Sequence, residues 1–154
     1  MFTHDTQFAL AVQALVTLAL GDGSPTSSAR LAERLHTHPA YLRGLLGKLR
    51  GAGLVVTRRG KGGGTVLAQP PEAISLLAIY RVTDGAAEVA PHGCGGSSCP
   101  VAGAMPRVLH RIGQRLDAAV ARELSSISVG DVLRWTTDAG TTPAVPGHPP
   151  GGAS

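Results

Sequence analysis

Residues 54–69, LVVTRRGKGGGTVLAQ, place four glycines and three cations between two runs of β-type residues. The runs predict a pair of strands joined by a tight loop. A plain hairpin turn needs at most a couple of glycines and no cluster of cations. Glycine permits a positive φ and brings the backbone against a surface, and arginines beside it suit the negative potential of a DNA minor groove. The stretch therefore predicts a hairpin that lies on nucleic acid.

The positive charge of the chain is concentrated around this hairpin. The chain has 154 residues, 14 of them basic and 10 acidic, for a formal net charge of +4. Residues 30–61 hold eight cations and one acid, Glu33, a net +7 that leaves −3 for the remainder. A solvated face usually mixes both signs, so a block of one sign indicates a polyanionic partner. The eight cations are Arg30, Arg34, Arg43, Lys48, Arg50, Arg58, Arg59 and Lys61.

The residues before the hairpin predict three helices. Ser27 or Ser28 can cap the second helix, and Pro39 can begin the third. Three helices followed by a two-stranded ribbon are the order of a winged helix-turn-helix, whose second motif helix enters the major groove. The sequence thus predicts a mostly α fold with this DNA-binding domain over residues 1–70. The apolar residues at helical spacing are Phe8, Val12, Leu15, Val16 and Ala19, then Leu31, Ala32 and Leu35, then Leu42, Leu45, Leu46 and Leu49.

The polar face of the third helix adds candidates for DNA contact. Gly44 and Gly47 lie on this face, and each costs about 1 kcal/mol of helix stability relative to alanine. Core packing does not explain them, and bare backbone there would let a partner approach closely. The predicted DNA-contacting residues are Ser28, Tyr41, Arg43, Lys48, Arg58, Arg59 and Lys61.

The second half of the chain predicts an assembly element. Residues 71–103 are expected to form a short helix and a loop that contains Cys94, residues 104–133 a long dimerisation helix and a closing short helix, and residues 134–154 a disordered tail. The long helix carries one apolar stripe. Its periodicity alone fits packing on its own domain as well as on a second copy. The stripe consists of Met105, Leu109, Ile112, Leu116, Val120 and Leu124.

Other function classes find little support. Gly60-Lys61 lacks both the first glycine and the following Ser/Thr of a phosphate-binding P-loop, and no nucleophile, base and orienting acid stand out, so no enzyme is predicted. Residues 8–20 are apolar but too short to cross a bilayer, and no cation precedes them as in a secretory signal. We therefore expect a cytoplasmic protein with no membrane partner.

Spaced motifs resemble a known family. The segments YLRGLLGKLRGAGLVV (41–56), RGKGGG (59–64), ISLLAI (74–79), CPV (99–101) and SVGDV (128–132) occur in the order found in the IscR/NsrR/BadM family of winged-helix regulators, the Rrf-two family. The resemblance covers about residues 1–133. It implies a homodimeric bacterial transcription regulator, a repressor in the reading we favour, that binds a double-stranded DNA operator. It also implies that Arg59 reaches into the minor groove.

The resemblance bears on the two cysteines, Cys94 and Cys99. Iron-sulphur members of the family use three cysteines and a fourth ligand, and the family's fourth-ligand positions hold Ala102 and Gln7 in this chain. The resemblance thus implies a member without a full set of cluster ligands, and no cofactor or metal is expected.

Three roles stay open for the thiols: a redox switch, two inert side chains, and a zinc site with His92. Glycines between the cysteines allow the approach that a disulfide requires. A helix beginning at Pro100 would place Cys99 at a helix N-terminus, which favours the thiolate. The alternatives for the whole protein are an iron-sulphur or other ligand-sensing regulator of the same fold, and a winged-helix protein that docks an acidic protein or RNA.

Overall fold

The computed structural model describes residues 6–83 and 100–138. Three helices come first: α1 (Thr6–Ala19), α2 (Ser28–Arg34) and α3 (Pro39–Gly51). Their predicted apolar faces meet in one core, because spacings of three and four residues put those side chains on one side of each helix. Leu15, Leu31, Leu42 and Leu49 are completely buried there. The three predicted helices are confirmed.

The turn between α2 and α3 is held by backbone hydrogen bonds. His36 adopts a left-handed backbone with φ 49°, its N–H donates to the Glu33 carbonyl (3.2 Å), and the Thr37 N–H donates to the Ala32 carbonyl (3.0 Å). This is the Schellman arrangement that ends many helices. The His38 Nδ1 then accepts from the Ala40 N–H and caps α3. These bonds set the direction in which α3 leaves the turn.

The wing is an antiparallel pair of strands, β1 (Val55–Arg58) and β2 (Gly64–Leu67). A further backbone bridge ties it to the helical body: the Thr26 N–H donates to the Thr65 carbonyl (3.0 Å) and the Thr65 N–H to the Thr26 carbonyl (2.8 Å). A Cβ on Gly64 would lie 2.5 Å from the Thr26 backbone. Glycine is required here because the two backbones touch.

Three further helices complete the described chain. After a 3-10 turn (Pro71–Ala73) come α4 (Leu76–Thr83), α5 (Pro100–Ser125) and α6 (Val129–Thr137). The Leu76 N–H donates to the Ile127 carbonyl (2.8 Å), and the Val129 N–H donates to the Ile74 carbonyl (2.9 Å). These two bonds join the starts of α4 and α6. The predicted mostly α, winged helix-turn-helix fold with a long C-terminal helix is confirmed.

Two boundaries differ from those expected from the sequence. The long helix begins at Pro100 rather than at residue 104 and continues through Pro106, since proline suits the first helical position and an internal proline kinks a helix without always ending it. Helix α6 extends to Thr137, beyond the expected limit of residue 133. The Thr136 and Thr137 hydroxyls donate to the Leu133 carbonyl and prolong its last turn. Within the described residues, no helix is long and apolar enough to span a membrane.

Candidate nucleic-acid interface

The wing loop projects its cations away from the core. Arg58, Arg59 and Lys61 are all exposed. Gly60 and Gly62 have φ of 98° and 76°, a region that glycine enters without strain. The Gly63 N–H donates to the Gly60 carbonyl (2.9 Å) and closes the loop. The loop therefore holds three charged side chains on a backbone that lies nearly bare.

Helix α3 is anchored by four leucines and presents its polar face outward. Leu42, Leu45, Leu46 and Leu49 are buried, so the residues between them face solvent. Tyr41 is 44% exposed, and Arg43 and Lys48 are exposed as well. Cβ atoms built on Gly44 and Gly47 would meet nothing within 4 Å. The glycines are thus not demanded by packing within the described chain.

A residue of α1 takes part in this surface that the sequence analysis did not include among the DNA contacts. The Lys48 Nζ donates to the Gln7 Oε1 (2.9 Å), and the Gln7 Nε2 lies 3.4 Å from the Tyr41 hydroxyl, to which it donates. Gln7 therefore connects the start of α1 with two predicted DNA-contacting residues of α3. Nothing in the local pattern around residue 7 indicates this contact, because it joins segments more than thirty positions apart.

A cavity of about 420 Å³ lies between α2, α3 and the wing. It brings together Ser28 and Arg43, which the sequence analysis included, and Arg50, which it counted only among the cations. Arg50 follows Arg43 by seven positions, so both stand on the same side of α3. This spacing is the signal that could have identified Arg50 from the sequence. Ser27, the observed cap of α2, Gly47 and Thr57 also line the cavity.

The cations of residues 30–61 lack acidic partners. The ion pairs found in the described chain join Arg122 to Glu123 and Arg134 to Asp131. Among the residues that the structure describes, none of the eight cations of residues 30–61 has a carboxylate within 4.0 Å. Six of them, all but Arg30 and Arg34, lie on α3 and the wing. We call these two elements, with the N-terminal turn of α2, the cationic surface.

The predicted dimerisation stripe of α5 divides into two faces. Leu124 is buried in the core of its own protomer, and Val120 packs against that core. These two residues are turned away from a second copy, because the stripe drifts around a straight helix as it rises. Met105 and Ile112 are exposed at 39% and 45%, and Val101 and Val108 join them at 62% and 47%. We call these four residues the apolar face of α5. Leu109 and Leu116 are half-buried between the two faces.

Cys94 and Cys99 lie outside the described residues, as does His92. Within residues 6–83 and 100–138, no group of three His, Cys, Asp or Glu side chains is arranged to hold a metal ion. Two thiolates are also fewer than the four that a typical iron-sulphur cluster takes. The donor set present here does not fit such a cluster.

Comparison with known proteins points in one direction. Residues 4–134 match the family described as Rrf2, iron-dependent transcriptional regulator. The chain is 36% identical over 140 residues to the HTH-type transcriptional regulator IscR of Cereibacter sphaeroides, a match covering 88% of each chain. It is similar to the structure of T. potens IscR (TM-score 0.65, 29% identity, 90% of each chain). It is also similar to that of CymR, the global cysteine regulator of B. subtilis (TM-score 0.62, 29% identity, 88% of this chain and 98% of that one). The chain belongs to the Rrf2 family of transcriptional regulators.

Proposed function

We propose that this protein is a cytoplasmic, homodimeric repressor that binds a double-stranded DNA operator through its cationic surface. The observation that carries the proposal is the set of unpaired cations on α3 and the wing. Cations without carboxylate partners gain most from a polyanion, because binding releases the counterions condensed on its phosphates. Family membership supports the same conclusion.

In the proposed complex, α3 enters the major groove and the wing follows the adjacent minor groove. Tyr41, Arg43 and Lys48 then face bases and phosphates from α3. Arg59, at the exposed end of the wing, reaches into the minor groove, whose negative potential is strongest where the groove is narrow. Ser28 contacts the phosphate backbone beside the groove. Gln7 holds Lys48 and Tyr41 in place from α1.

The homodimer is supported by the apolar face of α5. Four large apolar side chains stand exposed at spacings of four, three and four residues, which is the pattern of a helix that packs against another helix. The described remainder of the protomer covers the neighbouring face of α5 through α4 and leaves this one open. A second copy that buries it would pair two cationic surfaces for the two halves of an operator.

Repression follows from occupancy, since a dimer bound across a promoter excludes other proteins from it. The decisive experiment measures binding to the DNA upstream of the protein's own gene and to a shuffled duplex of equal length, by fluorescence anisotropy over a range of KCl concentrations. We expect tighter binding to the upstream duplex and a steep fall in affinity with salt on both. Binding to RNA or to an acidic protein in preference to either duplex would contradict the proposal.

A thiol response through Cys94 and Cys99 is the regulatory part of the proposal and rests on the sequence. Cys99 directly precedes Pro100, the first residue of α5, so a disulfide formed there would act at the start of the helix that carries the apolar face. Diamide should release the wild type from DNA and leave Cys99→Ser bound. Equal responses of the two proteins would instead favour inert thiols.

A further inference from the structure

The cavity between α3 and the wing has a defined position relative to DNA if the proposed function holds, and the inference below rests on it. A helix in the major groove and a wing in the neighbouring minor groove stand on opposite sides of one sugar-phosphate strand, because that strand separates the two grooves. The strand must therefore cross the gap between α3 and β1. In this molecule that gap is the cavity of about 420 Å³.

The walls of the cavity suit phosphate oxygens. Arg43 and Arg50 supply guanidinium groups from α3, and Ser27, Ser28 and Thr57 supply hydroxyls from α2 and β1. All five side chains can donate hydrogen bonds, and no acidic residue lines the cavity. Arginine and hydroxyl donors of this kind are the common partners of DNA phosphates.

Gly47 lies in the wall of the same cavity. Glycine inside a helix lowers its stability relative to alanine, and an added Cβ here would meet no atom within 4 Å. Packing within the described chain therefore gives no reason for the glycine. The space in front of its Cα opens into the cavity, where a strand of DNA would need it.

We propose that this cavity seats the stretch of DNA backbone that separates the major from the minor groove. Arg50 is a phosphate-binding residue in it, and Gly47 sets how closely the strand can approach α3. Contacts of this type add affinity on any sequence and fix the register of α3 in the groove.

The test compares two glycine variants that have the same local chemistry. Gly47→Ala and Gly103→Ala each place a methyl group on a helix at a point where it meets no atom within 4 Å, but Gly103 lies on α5 and away from the cavity. Both should raise the melting temperature by about 3 °C, since each removes a helical glycine. Gly47→Ala should weaken binding about tenfold on the upstream duplex and on the shuffled duplex alike. Gly103→Ala should bind both as the wild type does.

A second variant tests the phosphate contact without altering the backbone. Arg50→Gln should lower the slope of log affinity against log salt concentration by about 0.9 for each phosphate lost. Wild-type affinity and slope in both variants would overturn the inference while leaving the proposed function intact. A loss confined to the upstream duplex would also overturn it, because Gly47 would then face bases. Failure of the wild type to bind either duplex would overturn the proposed function and this inference together.

Discussion

The two halves of the described chain leave different physical requirements unmet. The cationic surface exposes charged groups without partners and bare backbone at Gly47, Gly60 and Gly62. The C-terminal helices pair their charges, as in Arg134 with Asp131, and instead expose the apolar face of α5. Unpaired charge favours a polyanion, whereas uncovered apolar area favours another apolar surface. One chain thus carries a surface for DNA and a surface for a second copy of itself.

The largest expected effect comes from placing a charge on the apolar face of α5. Ile112→Asp should raise the dissociation constant of the dimer by at least about a hundredfold, because an unpaired carboxylate would be buried at the interface. Sedimentation equilibrium measures it. The matched control is Leu20→Asp, since Leu20 is an exposed apolar residue at 57% that lies on the loop after α1. If Ile112→Asp remained as dimeric as Leu20→Asp, the assignment of this face to assembly would be wrong.

The next effect separates the two surfaces by their response to loss of an arginine. Arg59→Ala should weaken operator binding by about 1–3 kcal/mol, or roughly ten- to a hundredfold, because the wing loses its deepest cation. Arg111→Ala removes the same charge from exposed α5 and should change the affinity far less. Gel-shift titration of the two variants under one salt condition makes the comparison. Equal losses would show that only total charge matters and would remove the distinction between the surfaces.

A third change probes the backbone contact that holds the wing. Gly64→Ala places a methyl group 2.5 Å from the Thr26 backbone, so the wing or the loop before α2 must move. We expect a loss of roughly 1–3 kcal/mol in the free energy of unfolding together with weaker DNA binding. Urea denaturation and anisotropy report the two quantities. A Gly64→Ala protein as stable as the wild type would mean that the Thr26–Thr65 bridge does not fix the wing.

The smallest effect concerns the cap of α6. The Ser128 hydroxyl and then its backbone N–H donate to Asp131 (2.6 and 2.8 Å), and these bonds lower the pKa of Asp131 below its ordinary 3.8. Because the folded pKa is the lower one, this stabilisation is complete above about pH 3.8 and is lost as the pH falls through the folded pKa. Asp131→Asn should therefore melt below the wild type near neutral pH, and the gap should close on acidification. A gap that stayed constant in acid would exclude this carboxylate as its source.

Much of the DNA-binding half could be predicted because its signals are local. Helical spacing of leucines predicted α3, and glycines next to cations predicted the wing. The contacts of Gln7 and Arg50 were missed since they depend on segments that meet only after folding. The stripe of α5 was predicted as one surface although Leu124 belongs to the protomer's core. Periodicity identifies an apolar side of a helix but not what covers each turn of it.

The sequence by itself determined the order of the elements, the block of unbalanced positive charge and the flexible wing, because these depend on the type and spacing of neighbouring residues. Only the tertiary structure decided which residues share a surface. It brought Arg43, Arg50 and Thr57 around one cavity and left Val101, Met105, Val108 and Ile112 exposed on α5. The physical reason is that burial and contact depend on how helices pack across the whole chain, which no single segment specifies.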